Sequence, residues 1–361
     1  MSWERQDQLS RVVIKGFKSI KDCEITLKGI NVLIGSNGAG KTNFLSVFEL
    51  LHRIQDKSLA RYVQNKGATT LLYNGSRVTE SILVEFFFSQ STYSFELEVT
   101  ENNTFNFVRE SVGPVNFPLV DSNYNESKLQ EWLNNPKADS SIIETVLSKP
   151  WRTFHFYDRD SIIKPRNYNI SNSEALHKDA SNIAAFLYRL KRHHNLEYNN
   201  ILRAVHMVAP YFRDFTLKPE EGNEEHIVLR WQKKDCDDVF NAAQFSEGTL
   251  RFVCLATLLL QPTELQPASI IIDEPELGLH PFAITIFSEM VQKAAVNKQI
   301  ILATQSVELL DNFDVEDVIV VDNNDDGSEF KRLDAEQLKL WLENDYTLGE
   351  LWNKNIFGGR P

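Results

Sequence analysis

The sequence predicts an α/β protein with a mixed sheet, an antiparallel β subdomain and a helical lobe. Three observations favour this class. A glycine-rich loop stands between a short apolar strand and an apolar helix near the start of the chain. Three β-rich runs with alternating polarity follow that helix. The second half then alternates short buried strands with helices, which is the order that builds a parallel sheet.

The glycine-rich loop, GSNGAGKT, matches the phosphate-binding pattern G-x-x-x-x-G-K-[ST] at every fixed position. Residues 30–34 precede it as a β-branched strand, and apolar residues recur after it at helical spacing as far as Ile54. In such a unit the loop N–H groups and the positive end of the helix dipole converge on an anion. We therefore expect a nucleoside triphosphate to bind here. The expected contacts are Gly35, Ser36, Asn37, Gly38, Ala39, Gly40, Lys41, Thr42 and Asn43.

Residue chemistry assigns roles within the loop. Gly35, Gly38 and Gly40 let the backbone wrap closely around phosphate oxygens because no Cβ stands in the way. Lys41 brings a point charge to the β- and γ-phosphates, and Thr42 offers a hydroxyl to Mg²⁺.

Composition and charge limit the class of protein. The 361 residues are 42% hydrophobic and 24% charged, as in ordinary soluble proteins, and no apolar run approaches the roughly 20 residues that span a bilayer. The net charge of −12 argues against a broadly basic nucleic-acid surface but leaves room for a local basic groove. Three scattered cysteines, Cys23, Cys236 and Cys254, favour the reducing cytoplasm. From the lack of a long apolar run we expect no membrane partner.

The remaining elements follow from periodicity and turn residues. The three β-rich runs, at 81–88, 93–100 and 104–109, are expected to form an antiparallel meander. Residues 113–150 are expected to be loop with one or two short helices. Other strands are expected at 11–17, 24–27, 151–160, 226–232, 268–272, 299–303 and 317–321, and helices at 182–194, 249–260, 281–296 and 335–344.

An apolar strand in the second half ends in two adjacent carboxylates, Asp273 and Glu274. Asp273 can reach Mg²⁺ directly or through water, and Glu274 can polarise an attacking water. Two such acids are costly at the end of a buried strand unless a cation or bonded water is present. A solvated Asp-Glu-Pro turn is the alternative. The phosphate loop upstream favours the metal-site interpretation.

The stretch QFSEGT, residues 244–249, precedes an apolar helix. Ser246 is a good N-cap, and helix N-termini bind anions. On the residues alone, a simple helix cap is the favoured interpretation.

The ordered set GxNGxGKT, FSEGT, IIIDEPELGLHP and ILATQS resembles an ABC-type ATPase head, in the branch of RecF, the SMC proteins and the OLD-family ATPases. FSEGTLRF resembles the signature of that branch more than the LSGGQ of transporter subunits, and RVVIKGFKSIKD resembles its first strand and turn. The resemblance implies a P-loop NTPase of ABC/SMC-head type. It would form a single bilobed head over 1–361, with lobe I at 1–150, lobe II and a helical insertion at 151–260, and a C-terminal part at 261–361.

In that family two heads dimerise head-to-tail and trap two ATP molecules between them. The resemblance implies that Ser246 and Gly248 contact the γ-phosphate bound by the partner chain. It also implies that Lys18 and Ser19, which match an N-terminal FKS element, lie near the nucleotide. The loop 276–280 would cross the dimer interface.

The resemblance implies a catalytic set of Lys41, Glu274 and Gln305. Gln305 stands at a switch position that normally holds histidine. Glutamine can hydrogen-bond a phosphate or water but cannot carry a proton, so hydrolysis is expected to be slow or partner-dependent. The separate glutamine loop of the family is not located. His155 and Asp158 are candidates, with an aromatic core strand as the alternative.

Three functions stay open. The first is a RecF/OLD-like ATPase that acts on DNA and drives a nuclease partner in repair or phage defence. The second is a chromosome-maintenance ATPase without a nuclease. The third is an ABC transporter subunit, and the FSEGT signature, the long insertion before it and Gln305 argue against this third function.

Too few residues follow Thr304 for the Toprim nuclease of OLD-family chains. The ending FGGRP resembles that of stand-alone ATPases encoded beside a nuclease, as either a docking peptide or a disordered end. The basic run 188–194 is either a DNA-phosphate contact or a solvated helix face.

Overall fold

In the described residues, the computed structural model contains two six-stranded sheets, a three-stranded sheet and a two-stranded sheet. It describes residues 8–88, 91–113, 117–120, 124–132, 151–156, 158–163, 169–267 and 269–359. The chain divides into two compact units. The first comprises 1–153, 267–269 and 301–361, and the second comprises 154–266 and 270–300. Within the described ranges, no helix has the length and apolar character needed to cross a membrane.

The strands are numbered along the chain. They are β1 Leu9–Phe17, β2 Ile20–Thr26, β3 Ile30–Ile34, β4 Ser81–Phe88, β5 Thr92–Val99, β6 Phe105–Val112, β7 Phe117–Val120, β8 Arg152–Phe154, β9 Phe212–Thr216, β10 Pro219–Glu220, β11 Asn223–Ile227, β12 Arg230–Lys233, β13 Val239–Asn241, β14 Ser269–Asp273, β15 Gln299–Thr304, β16 Val318–Asn324 and β17 Gly327–Arg332.

The α-helices are numbered in the same way. They are α1 Lys41–Gln55, α2 Leu59–Lys66, α3 Leu129–Trp132, α4 Arg159–Ile163, α5 Ile183–His193, α6 Asn195–Val208, α7 Glu247–Leu260, α8 Pro281–Ala295, α9 Val307–Leu310, α10 Ala335–Leu342 and α11 Leu348–Asn353. Short 3₁₀ turns lie at Ala68–Leu71, Ile170–Ser173, Ala242–Gln244 and Val315–Asp317.

The first sheet has the order β2-β1-β4-β5-β6-β7 and pairs its strands antiparallel. Every second side chain of β4 is buried, as the alternating sequence requires. Phe86 and Phe95 pack with their ring centroids 6.4 Å apart in the core beneath the sheet. The predicted antiparallel meander is confirmed.

The second sheet has the order β17-β16-β3-β15-β14-β8. β16 pairs parallel with β3, with Val318 opposite Val32, while β17 turns back antiparallel along β16. All residues of β14 and β15 are buried, which agrees with their continuous apolar sequence. The sheet is therefore mixed, as predicted, with its antiparallel strand next to β16.

Two predicted strands differ from the structure. The run 226–232 is divided, because β11 pairs with β10 while β12 pairs with β9 and β13. The strand predicted at 151–160 is shorter in the structure, because β8 ends at Phe154 and α4 begins at Arg159. There the Asp158 carboxylate accepts a hydrogen bond from the Asp160 N–H at 3.0 Å, which favours a helix start over a strand.

Candidate nucleotide-binding site

The phosphate loop joins β3 to α1 in the first unit. Gly38 and Gly40 have φ angles of +82° and +117°, and Gly40 is the N-cap residue of α1. A methyl group on Gly35 would overlap the Val321 carbonyl oxygen, whereas one on Gly38 would meet nothing within 4 Å. The loop conformation thus requires glycine at these positions, and it leaves open space beside Gly38.

Lys41 is held inside the loop. Its Nζ donates to the carbonyl oxygens of Gly35 at 2.7 Å and Ser36 at 2.9 Å, and the residue is 5% exposed. Ala39 is also buried, and its N–H donates to the Ser36 carbonyl at 3.2 Å. The loop therefore surrounds a positive charge at the first residue of a 15-residue helix.

The residues of the loop have the chemistry that a magnesium nucleotide requires. A Cβ added at Gly38 would point into open space, so the loop backbone is accessible there, and Thr42 is exposed in the first turn of α1. In the described part of the chain no three His, Cys, Asp or Glu side chains form a group that could hold a metal. Protein-bound Mg²⁺ needs only one or two carboxylates besides substrate phosphates. Thr42 and Asp273 each carry an oxygen of the kind that binds Mg²⁺, and their role as metal ligands stays a prediction.

Lys18 forms the turn between β1 and β2, with φ of +51°. Its Nζ donates to Ser46 Oγ at 2.7 Å, on the second turn of α1. Burial, together with the nearby Lys66 and against the opposing effect of Glu49, lowers the pKa of Lys18 to about 8. The ammonium is thus already partly desolvated and lies against the helix that follows the phosphate loop.

Ser19 is bonded to two other segments of the first unit. Its Oγ accepts hydrogen bonds from Asn43 Nδ2 and from Ser328 Oγ, both at 2.7 Å. Asn43 is the neighbour of Thr42 in the first turn of α1, so the structure brings the FKS turn to the start of that helix. Direct contact of Lys18 or Ser19 with a nucleotide stays a prediction.

The two carboxylates lie at the end of β14 in the second unit. Asp273 is 5% exposed, and Glu274 is held in the left-handed region with φ of +45°. A non-glycine residue in that region has a strained backbone, and such a conformation persists only where the surrounding structure enforces it. The loop that follows these carboxylates ends at His280, the N-cap residue of α8, whose Nδ1 accepts a hydrogen bond from the Phe282 N–H at 3.2 Å. The strain at Glu274 favours a functional residue over an ordinary solvated turn.

The FSEGT stretch starts α7 in the same unit. Ser246 Oγ accepts the Thr249 N–H at 3.2 Å, which is the N-cap predicted from the sequence. A methyl group on Gly248 would overlap the carbonyl oxygen of Gly278. The first turn of α7 therefore packs directly on the loop 276–280, and the structure joins two motifs that are 30 residues apart in the sequence.

Sequence reasoning did not identify Arg251, which connects these two motifs. The residue is 6% exposed, and its guanidinium donates to the carbonyl oxygens of Phe156 and Leu277 and to the Glu247 carboxylate. The Phe156 and Glu247 bonds are both 3.0 Å long. The available signal was a single arginine within an otherwise apolar helix.

Arg159 is a second residue that sequence reasoning missed. Its Nη2 donates to the Ala243 carbonyl and, at 3.2 Å, to the Phe245 carbonyl. Phe245 directly precedes Ser246, so this guanidinium fixes the backbone that enters α7. No local pattern in the sequence indicated that contact.

The remaining predicted residues have local structural roles. The His155 N–H donates to the Lys178 carbonyl at 3.0 Å, and Asp158 bonds the start of α4. Gln305 follows β15, directly before Ser306, which is the N-cap of α9. The roles of His155, Asp158 and Gln305 at a nucleotide stay predictions.

Comparison with known proteins agrees with the motifs. Residues 30–311 match the family described as "AAA domain, putative AbiEii toxin, Type IV TA system". The DNA replication and repair protein RecF of Vibrio vulnificus (strain CMCP6) is 44% identical over 69 residues, which are 18% of this chain and 19% of that protein. The Old nuclease of Escherichia phage P2 is 21% identical over 381 residues, which cover 92% of this chain and 62% of that protein.

A solved structure shows the same fold. The Smc head in complex with the C-terminal winged-helix domain of ScpA has a TM-score of 0.64 at 16% identity, and the match covers 91% of this chain and 99% of that one. The predicted ABC/SMC-head fold is therefore confirmed. The chain spans about a fifth of RecF and less than two thirds of the Old nuclease.

Proposed function

Since the chain belongs to the family described as "AAA domain, putative AbiEii toxin, Type IV TA system", has the fold of an SMC head and has RecF and the Old nuclease among its relatives, we propose that it binds and hydrolyses ATP with Mg²⁺. The observation that carries the proposal is the phosphate loop. Gly38 and Gly40 adopt left-handed backbone angles, and Lys41 lies inside the loop at the start of α1.

ATP binding would use groups that the loop already orients. The N–H groups between Gly35 and Thr42 would donate to phosphate oxygens at the positive end of α1. Lys41 would exchange the Gly35 and Ser36 carbonyls for the β- and γ-phosphates. Because the ammonium is already buried, it would meet the phosphates without first losing a full hydration shell.

Hydrolysis would use the carboxylates that follow β14. We assign Thr42 and Asp273 as ligands of Mg²⁺, which when bound would neutralise charge on the phosphates. Glu274 would accept a proton from the attacking water, and its strained backbone would fix the direction of its carboxylate. Gln305 would hydrogen-bond the γ-phosphate or the water without taking a proton.

A second copy would complete each site. The start of α7 carries Ser246 and Gly248 and would contribute a helix N-terminus to the γ-phosphate bound by the partner. ATP would then shift the equilibrium from monomer to dimer only to the extent that it binds the closed dimer more tightly than the monomer. We expect Glu274→Gln to accumulate an ATP-bound dimer. An unchanged elution volume for this variant with and without ATP would contradict the dimer.

The partner class that we propose is DNA together with a nuclease. The names of two relatives, a DNA replication and repair protein and a nuclease, support it. A basic cleft of about 440 Å³ in the second unit also supports it, since its described lining includes Arg189, Arg192, His193 and His194 and, as its one acid, Glu174. Guanidinium groups on one face of a helix suit phosphate oxygens. The setting would be DNA repair or defence against phage.

The decisive experiment is an ATPase assay with and without DNA, accompanied by mass spectrometry of copurifying proteins. We expect hydrolysis that Lys41→Ala abolishes and that DNA or a copurifying nuclease stimulates. DNA stimulation without any nuclease would favour chromosome maintenance instead. Failure of the purified wild-type protein to bind ATP would overturn the whole proposal.

A further inference from the structure

The hairpin of β16 and β17 contacts all three glycines of the phosphate loop, within the first unit. The Val321 carbonyl lies against Gly35, and Asn323 Nδ2 donates to the Gly38 carbonyl at 3.4 Å. Ser328 occupies the space that a Cβ on Gly40 would need. The loop is therefore supported along its length by a segment about 285 residues away in the chain.

A second segment, the Gly358-Gly359 turn, contacts the same hairpin and the start of the loop. The Gly359 N–H donates to Asp322 Oδ1 at 2.7 Å. A Cβ on Gly359 would lie 3.6 Å from the Gly35 Cα and 2.9 Å from Trp352 Nε1. Gly359 is buried, which makes this turn part of the packing behind the loop.

Both glycines of the turn are needed for this arrangement. Their φ angles are +88° and +83°, in the region that side-chain-bearing residues avoid. A Cβ on Gly358 would also lie 2.6 Å from Asp322 Oδ2. The Asp322 carboxylate is thus in contact with both residues of the turn, and it lies next to Val321, which touches Gly35.

We propose that Asp322 is a positioning residue for nucleotide binding, because it fixes the Gly358-Gly359 turn behind Gly35 and so sets the backbone of the phosphate loop. The inference rests on the proposed ATP binding. Asp322 itself would touch no phosphate. It would act through the direction of the loop N–H groups, whose hydrogen bonds to an anion weaken steeply when they are misaligned.

The carboxylate is tested by two substitutions and a matched control. Asp322→Ala removes the acceptor of the Gly359 N–H, whereas Asp322→Asn keeps one acceptor oxygen. Asp326→Ala removes an exposed carboxylate from the same hairpin, where it pairs only with Lys21 among the described residues. The dissociation constant of ATP is measured by titration calorimetry well below the melting temperature, where every variant is folded by circular dichroism.

We expect Asp322→Ala to raise the dissociation constant about tenfold and Asp322→Asn to restore it to within about twofold of wild type. Asp326→Ala should leave it unchanged. A purely structural role of Asp322 would lower the melting temperature and leave the dissociation constant in the folded protein unaltered, which would overturn the inference.

The turn itself is tested by Gly359→Ala against Gly75→Ala. Gly75 has a similar φ of +75° but would meet nothing within 4 Å, so the control carries backbone strain without a clash. We expect weaker ATP binding only for Gly359→Ala. If the wild type binds ATP and Gly359→Ala and Asp322→Ala bind equally well, this inference alone is wrong. If the wild type binds no ATP, the proposed function is wrong as well.

Discussion

Gly248 lies so close to Gly278 that any side chain at position 248 would overlap the Gly278 carbonyl oxygen. The family resemblance assigns Gly248 to a phosphate on a partner chain. The structure adds a requirement within the chain, since the start of α7 can pack on the loop 276–280 only without a Cβ at this position. A change at the signature glycine should therefore also displace the loop that follows Glu274.

We expect Gly248→Ala to lower the melting temperature and to abolish ATP-dependent dimerisation in the Glu274→Gln background. The methyl group would force α7 and the loop 276–280 apart, and overpacking of this kind costs about 1–3 kcal/mol. Ser246→Ala is the comparison, because it removes an N-cap worth about 1 kcal/mol and leaves the packing intact. A Gly248→Ala protein that melts like the wild type would show that the close approach is not needed.

Arg251→Met should destabilise the second unit by about 3 kcal/mol. The substitution removes a buried guanidinium and leaves the carbonyl oxygens of Phe156 and Leu277 without that donor. Arg203→Met is the control, because Arg203 is exposed on α6 and its side chain bonds Asn200. Chemical denaturation gives both free energies of unfolding, and equal values for the two variants would contradict the bridging role of Arg251.

Lys18 should make ATP affinity depend on pH. Its lowered pKa of about 8 means that the ammonium is mostly charged at pH 7 and mostly neutral at pH 9. If it faces the nucleotide, the affinity of the wild type should fall by up to about tenfold over this interval, since the attraction to phosphate is lost.

Lys18→Arg is the matched control for this pH dependence, because arginine stays charged throughout the interval. Its affinity should stay nearly constant, and calorimetry of the wild type at pH 8.5 should detect proton uptake on binding. Equal pH dependence of ATP affinity in the wild type and in Lys18→Arg would show that Lys18 does not interact with the nucleotide and only donates its hydrogen bond to Ser46.

The sequence predicted those parts of the site that are continuous in the chain. GSNGAGKT carries its own strand, loop and helix, and Asp273 and Glu274 directly follow a buried apolar strand. The Ser246 cap is equally local, because its partner Thr249 is three residues away. In each case the spacing along the chain determines the geometry.

Contacts between distant segments could not be predicted in this way. Asp322 and Gly359 are 37 residues apart, and the hairpin contact between Asn323 and Gly38 spans 285 residues. The Arg251 contact with Phe156 spans 95 residues. The single predicted strand at 226–232 was wrong for a related reason, because β11 and β12 are successive strands that pair with different partners.

Asp317→Asn should stabilise the protein at pH 7 and have little effect at pH 4. Burial and the nearby Asp314, against the opposing effect of Arg332, raise the pKa of Asp317 to about 6. Between about pH 4 and pH 6 the folded state therefore holds a proton that the unfolded state has released, so stability falls as the pH rises through this window. Above it, the half-buried carboxylate is charged in both states and its desolvation cost is complete.

The substitution removes this titration, so the gain at pH 7 should be at most about 3 kcal/mol, the free energy that corresponds to the rise in pKa. Partial exposure of Asp317 reduces that figure. Thermal melts at pH 4, 5, 6 and 7 measure the difference from wild type, which should grow across the series. Asp325→Asn, at an exposed position in the β16–β17 hairpin, controls for the change in net charge. A difference that is the same at every pH, or equal in the two variants, would contradict the raised pKa, because only a carboxylate that titrates differently on folding makes stability depend on pH in this window.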